Sequence, residues 1–384
     1  MYQQRTLEAI LQSQLKHFCA VGVTGPRQSG KSTLLRHMLP DYRYVTFDKQ
    51  ANVNFFQDDP DTFMREYADR VIFDEAQKQP LIFEYLKVAI DNDRDNYGKF
   101  VVSGSNQFNL QANISESLAG RIGLLTLLPL QFSEIPETLH QASVYKGGFP
   151  ELIKQAYVQD RAWFEAYVDT YVNKDVRQVE NIGNLRDFRR LLYLLAAHTG
   201  QTLNMSSYAK ALGVSVPTIK RWISVLEASY IIYLLPPYFK NLGKRLVKSP
   251  KIYFYDTGLV SFLTGIETKA HFEQGLLAGP LFENYVISEV LKLKHHHQTF
   301  EELYYLRTAN GEEIDLIIDN KREQIYVEIK KSGTFSVKMA STLKKYVEKP
   351  NRGVVVYRGD SQRYTEDIQF MHYDDFFDAL SSRQ

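Results

Sequence analysis

Gly25-Pro26-Arg27-Gln28-Ser29-Gly30-Lys31-Ser32 places two glycines, a lysine and a hydroxyl at the spacing of a phosphate-binding loop, the Walker A pattern. The apolar run Cys19-Ala20-Val21-Gly22-Val23 before it reads as a buried strand, and Ser32-Thr33-Leu34-Leu35-Arg36-His37-Met38-Leu39 after it reads as a helix start. In such a strand–loop–helix the glycines let the backbone turn tightly, so that its N–H groups point at phosphate oxygens. The helix presents its positive end to the same anion. This reading makes Gly25, Pro26, Arg27, Gln28, Ser29, Gly30, Lys31, Ser32 and Thr33 the cradle of ATP. Lys31 reaches the terminal phosphates and Ser32 holds Mg²⁺.

Two further stretches agree with it. Arg70-Val71-Ile72-Phe73-Asp74-Glu75-Ala76-Gln77 is an apolar strand ending in two carboxylates, a Walker B pattern. Asp74 is expected on the Mg²⁺ shell and Glu75 beside the water that attacks the γ-phosphate. Lys99-Phe100-Val101-Val102-Ser103-Gly104-Ser105-Asn106 is another short buried strand closing on small polar residues. In P-loop ATPases with a catalytic glutamate, a strand of this kind lies between the Walker A and Walker B strands and offers a polar sensor. Ser105 or Asn106 is expected in that role.

The length, 384 residues, suggests two or three domains, and a net charge of +1 means that no global field advertises a polyanionic partner. The single cysteine, Cys19, excludes disulfides within the chain and suits a reducing compartment. Met1 to Lys16 is polar, with Leu7, Leu11 and Leu15 on one helical face, and has no signal-peptide core. No run reaches the length of a transmembrane span. These features predict a soluble cytoplasmic protein without a membrane partner.

Strand-like and helix-like segments alternate up to about Ser133, the pattern of a parallel sheet flanked by helices. Tyr42 to Phe47 and Leu124 to Leu130 supply further strands. Arg121, in Ser117-Leu118-Ala119-Gly120-Arg121, is a candidate for stabilising transition-state charge at a γ-phosphate, in its own subunit or a neighbour's. From Met205 to Leu226 the chain reads as helix, Gly213 turn and second helix, with Ser215 as N-cap and Pro217 in the first turn. Lys220 and Arg221 face outward from the second helix. Lys240, Lys244, Arg245, Lys248 and Lys251 follow with no acid between them, and together they suggest a basic wing that meets DNA.

The carboxy-terminal part carries a second constellation. Leu281 to Leu291 is an amphipathic helix bearing Glu283; Leu303 to Arg307, Glu313 to Asp319 and Ile325 to Lys330 read as strands. Alternation puts Glu328 and Lys330 on one side of their strand and Ile329 on the other. An acid on one strand and Glu-x-Lys on the next is the layout of Mg²⁺-dependent phosphodiesterases. Asp315, Glu328 and Glu283 then become metal ligands, and Lys330 orients or deprotonates the water. His295-His296-His297 reads as a solvated polar turn, since consecutive histidines point different ways.

The order of these motifs resembles a family of bacterial and archaeal AAA-like ATPases that carry a carboxy-terminal domain of unknown function. The matching stretches include Gly25 to Ser32, Phe73 to Gln77, Ser117 to Arg121, Pro129 to Glu134, Gly147-Gly148-Phe149-Pro150-Glu151, Lys248 to Leu259, Phe282-Glu283-Asn284, Asp315 and Glu328-Ile329-Lys330. The resemblance implies an α/β fold: a P-loop NTPase core with a parallel sheet (1–134), a helical connector (135–186), a winged helix-turn-helix (187–265) and a restriction-endonuclease-like PD-(D/E)xK domain (266–384). Ile314, where such nucleases often have proline, precedes Asp315. The expected function is ATP hydrolysis coupled to duplex or branched DNA, with Mg²⁺-dependent cleavage. An ATP-driven switch that does not cleave and a winged-helix transcriptional regulator stay open as alternatives, as does a homo-oligomer.

Overall fold

The computed structural model describes residues 2–104, 117–171, 185–238 and 248–382. The chain divides into two compact units. One takes Met1–Leu130 with Ala228–Tyr230 and His295–Gln298; the other takes Gln131–Glu227, Ile231–Lys294 and Thr299–Gln384.

The first unit is built on β1 (Ala20–Thr24), β2 (Arg43–Thr46), β3 (Val71–Asp74), β4 (Phe100–Ser103) and β5 (Ile122–Thr126). They lie in the order β2-β3-β4-β1-β5, all parallel. Alternation along each strand sorts the side chains into two cores. Ala20, Val71, Phe73, Phe100 and Val102 join one, with Phe47, Phe56 and Phe63; Val21, Val23, Ile72, Val101 and Leu125 join the other, with Leu7, Leu11, Leu34 and Leu35. A sheet covered on both faces explains why these strands are unbroken apolar runs. β4 lies between the Walker A and Walker B strands, as the sequence predicts. The run expected as a strand over Leu124 to Leu130 is shifted earlier, because β5 pairs with β1 from Ile122 to Thr126.

In the second unit, helices Met205–Leu212 and Val216–Ala228 meet at a turn where Gly213 has φ 68°. The Ser215 hydroxyl accepts the Thr218 N–H at 3.2 Å, capping the second helix as expected. β6 (Ile232–Leu235) pairs antiparallel with β7 (Lys251–Phe254). A six-stranded sheet follows: β8 (Glu302–Arg307), β9 (Glu313–Asp319), β10 (Gln324–Ile329), β11 (Arg352–Tyr357), β12 (Gln362–Arg363) and β13 (Ile368–His372). Its order is β12-β13-β11-β10-β9-β8, with β8, β9 and β10 an antiparallel meander and β10, β11 and β13 parallel.

The Gly147-Gly148 stretch has a structural use. Gly147 has φ 79°, and a Cβ there would lie 2.1 Å from Asp256 Oδ1. The buried Asp256 carboxylate accepts the Gly148 N–H at 2.7 Å and caps the helix Thr257–Thr264 through the Leu259 N–H. Among the described residues, no helix is long and apolar enough to cross a membrane.

Candidate functional site

The loop after β1 opens at Gly25, whose φ is 140°; a Cβ there would fall 2.1 Å from the Leu127 carbonyl oxygen, so only glycine fits. Gly30, with φ 96°, leads into the helix Lys31–Met38. Lys31 is buried, and its Nζ donates to the carbonyls of Gly25 at 2.9 Å and Pro26 at 2.8 Å. Arg27 is half-buried, while Gln28 and Thr33 are exposed. Three hydroxyls converge on the Asp74 carboxylate: Ser32 at 3.0 Å, Ser103 at 2.5 Å and Tyr44. Burial, together with the bond to Asp74, pushes the Tyr44 hydroxyl up to about 12, so it remains a donor. Glu75, next to Asp74, sits in the left-handed region at φ 55°, and the Gln77 side-chain amide donates to it at 2.5 Å. The Ser32 hydroxyl and Asp74 carboxylate, side by side, are the hard oxygen donors that Mg²⁺ accepts, so these residues fit that ion.

The structure does not bring Arg121 to this edge. It precedes β5, whose Ile122 pairs with Ala20 at the start of β1, whereas the phosphate loop leaves the end of β1. Its guanidinium pairs with Asp91 through two bonds of 2.9 and 3.0 Å. Ser105 and Asn106 lie outside the described residues; the polar group that β4 does present to Asp74 is Ser103. Arg5 is a second residue that local pattern did not reveal. It is 4% exposed and donates to the Ser29 carbonyl at 2.9 Å and the Leu128 carbonyl at 2.7 Å, tying the loop to the chain beyond β5.

In the second unit, the meander brings Asp315, Glu328 and Lys330 together. Lys330 Nζ lies 2.5 Å from Glu328 Oε1 and 3.6 Å from Asp315 Oδ2, and Asp315 accepts the Ile329 N–H at 2.8 Å. Burial, reinforced by Asp315, pushes the Glu328 carboxyl up to about 7. Glu328 is 8% exposed, and its Oε2 is a buried oxygen with no hydrogen-bond partner. That orphaned acceptor beside Asp315 is the donor chemistry of a divalent ion, and the pair fits one.

Glu283 lies within electrostatic reach of Asp315, and its Oε1 accepts from Lys251 at 2.9 Å and from the Tyr253 hydroxyl at 2.5 Å. Lys251 is a correction, for it is a buried cation rather than part of a basic wing. It contacts Glu313 as well and lies 3.9 Å from Asp315. Burial alone would lower its pKa, but Glu283, Tyr253, Asp315 and Glu313 outweigh that and hold it well above the ordinary lysine value. Among the described residues, no group of three His, Cys, Asp or Glu side chains is arranged to hold a metal ion. Lys220, Arg221 and Lys248 are exposed, whereas Lys240, Lys244 and Arg245 lie outside the described residues. His296 is not in a solvated turn. The helix Ala278–His297 runs through it, and its buried Nε2 accepts the Leu128 N–H at 3.1 Å.

Comparison with known proteins divides the chain into three family segments. Residues 17–136 match an AAA domain, residues 137–270 a domain of unknown function (DUF8612) and residues 278–376 a domain of unknown function (DUF4143). Among solved structures, the Walker-type ATPase PABY2304 of Pyrococcus abyssi is 15% identical, with 68% of this chain and 96% of that one covered and a TM-score of 0.47. DnaA of Aquifex aeolicus bound to AMPPCP is 14% identical, with 58% and 85% covered and a TM-score of 0.29. An uncharacterized protein of Haemophilus influenzae is 23% identical over 366 residues, 85% of this chain and 86% of that protein. The uncharacterized protein Rv2008c of Mycobacterium tuberculosis is 30% identical over 339 residues, 88% of this chain and 76% of that protein. This chain, an AAA-like P-loop ATPase by its loop, its parallel sheet and its AAA segment, belongs to the family of that mycobacterial protein.

Proposed function

We propose that the protein hydrolyses ATP to control its engagement with DNA, and that its carboxy-terminal sheet holds a divalent-metal-dependent phosphodiester site. In the ATPase unit, Lys31 turns from the Gly25 and Pro26 carbonyls to the terminal phosphates. Ser32 and Asp74 hold the ion, and Glu75, fixed by Gln77, orients the attacking water and takes its proton. At both places Mg²⁺ supplies a Lewis-acid charge that draws electron density from phosphate oxygens. In the carboxy-terminal site, Asp315 and Glu328 are the ligands and Lys330 orients the hydrolytic water.

The observation that carries the DNA reading is the convergence of Asp315, Glu328 and Lys330 on adjacent strands of an antiparallel meander flanked by a parallel strand. The helix–turn–helix with Lys220 and Arg221 exposed supports it, because phosphate contacts need solvent-facing cations. A second reading, a switch that binds DNA or a protein partner without cutting, is favoured by the ammonium of Lys251 among the acids.

The test has two arms. ATP turnover is measured with and without single-stranded, duplex and branched DNA, and stimulation by one class is the expected result. DNA cutting with Mg²⁺ or Mn²⁺ is compared between wild type and Asp315→Ala. Cutting lost in the variant while ATP turnover persists supports cleavage. Wild-type protein that never cuts favours the switch, and turnover indifferent to all DNA removes the DNA reading.

A further inference from the structure

The acid pocket of the second unit contains a cation delivered from outside the segment that carries the acids. Lys251 stands on β7, within residues 137–270, while Glu283, Glu313, Asp315 and Glu328 belong to the segment 278–376. Its side chain is 2% exposed. Besides the three carboxylates, its ammonium has the Tyr305 ring below it, 5.5 Å to the centroid. A lysine gives up its hydration and rotamer freedom to reach such a place, so the position is a structural demand of the pocket.

The pocket is asymmetric. On the Glu283 side Lys251 and Tyr253 both donate to Oε1; on the Glu328 side a carboxylate oxygen is buried and unpartnered. A divalent ion placed between Glu283 and Asp315 would meet the Lys251 ammonium at a few ångströms, and like charges at that range repel.

Accepting the pocket as a metal-dependent phosphodiester site, we propose that Lys251 is its resident cation, filling the ground between Glu283 and Asp315 where a second divalent ion would sit. The site is thereby restricted to a single ion on Asp315 and Glu328. Lys251 acts through those carboxylates and is a positioning residue.

The test is Mn²⁺ binding to nucleotide-free, full-length protein, read by electron paramagnetic resonance of the free ion. Lys251→Met is expected to take up one more equivalent than wild type. Lys251→Met combined with Glu283→Gln keeps the pocket's net charge and is expected to return to the wild-type number, because the liberated ligand is gone. Equal stoichiometry and affinity in wild type and Lys251→Met overturn the proposal. Thermal unfolding is the second readout, since the buried Asp315 and the partly buried Glu283 and Glu313 without their ammonium weaken the fold. Mn²⁺ is expected to raise the midpoint of Lys251→Met more than that of wild type, as the ion replaces the missing charge. An equal shift, or a variant that Mn²⁺ cannot return to the folded state, overturns it too. DNA cutting by wild type is scored separately: its absence removes the phosphodiesterase reading while the Mn²⁺ comparison still decides the role of Lys251.

Discussion

Two buried lysines, one in each unit, are held in opposite ways. Lys31 donates to two backbone carbonyls of its own loop, which carry no net charge. Lys251 donates among Glu283, Glu313 and Asp315, and its charge is neutralised before any ligand arrives. Burial is nearly the same for both, so burial does not distinguish a ligand-seeking cation from a fixed one. The formal charge of the partners does. A cation resting on carbonyls exchanges neutral hydrogen bonds for charged ones when phosphate enters, and charged bonds are roughly twice as strong. A cation already among carboxylates has no such gain to make.

The contrast breaks most readily on stability. Lys251→Met leaves the buried Asp315 and its partly buried neighbours Glu283 and Glu313 uncompensated and is expected to cost about 3 kcal/mol in urea unfolding. Lys31→Met removes bonds to two carbonyls and is expected to cost about 1–2 kcal/mol. Comparable losses would show that Lys31 is as fixed as Lys251 and would dissolve the comparison. The next effect is catalytic. Lys31→Met is expected to lower ATP turnover by about 100-fold or more, the scale on which a preorganised donor to developing charge contributes.

Arg5 tests an intermediate case, a permanent cation whose guanidinium donates to two carbonyls at once. Arg5→Ala frees the Ser29 carbonyl and lets the phosphate loop relax, so affinity for a fluorescent ATP analogue is expected to weaken about tenfold, or roughly 1.4 kcal/mol. Arg5→Lys recovers only part, because a single ammonium does not bridge two carbonyls as a guanidinium does. Unchanged affinity with a lower unfolding midpoint would mean that Arg5 secures the amino-terminal helix alone.

How far such features were legible in sequence follows from how local they are. The phosphate loop, β1, β3 and β4 were readable because each declares itself within a few residues: an apolar run, then glycines or carboxylates. The side-chain alternation that brings Glu328 and Lys330 together is equally local, and the pair lies 2.5 Å apart. Lys251 reads as part of a basic run because Lys248 precedes it and no acid separates the two. The carboxylates that hold it lie on the helix Ala278–His297 and on β9, and no spacing rule links those elements. Arg5 and Tyr44 escaped notice for the same reason, each reaching its site from a separate element. Ser103 was hidden differently: a serine closing an apolar strand looks like punctuation, and its bond to Asp74 exists only because β3 and β4 are neighbours. Three polar rings in a row suggest a solvated turn, yet the helix continues and carries the middle ring, His296, inward.

A pH-dependent effect extends the comparison to an acid whose raised pKa has burial as its cause. Glu227, in the helix Val216–Ala228, has its carboxyl pushed up from 4.5 to about 7 by burial alone. A folded-state pKa above the unfolded one means that the fold favours the protonated form. The stability this group contributes is therefore complete below about pH 4.5 and lost as pH rises through about 7. Glu227→Gln, permanently neutral, is expected to match wild type near pH 4.5 and to exceed it in urea midpoint above pH 7. Parallel midpoint curves across that window would show that Glu227 has a compensating charge after all and belongs with the carboxylates around Lys251.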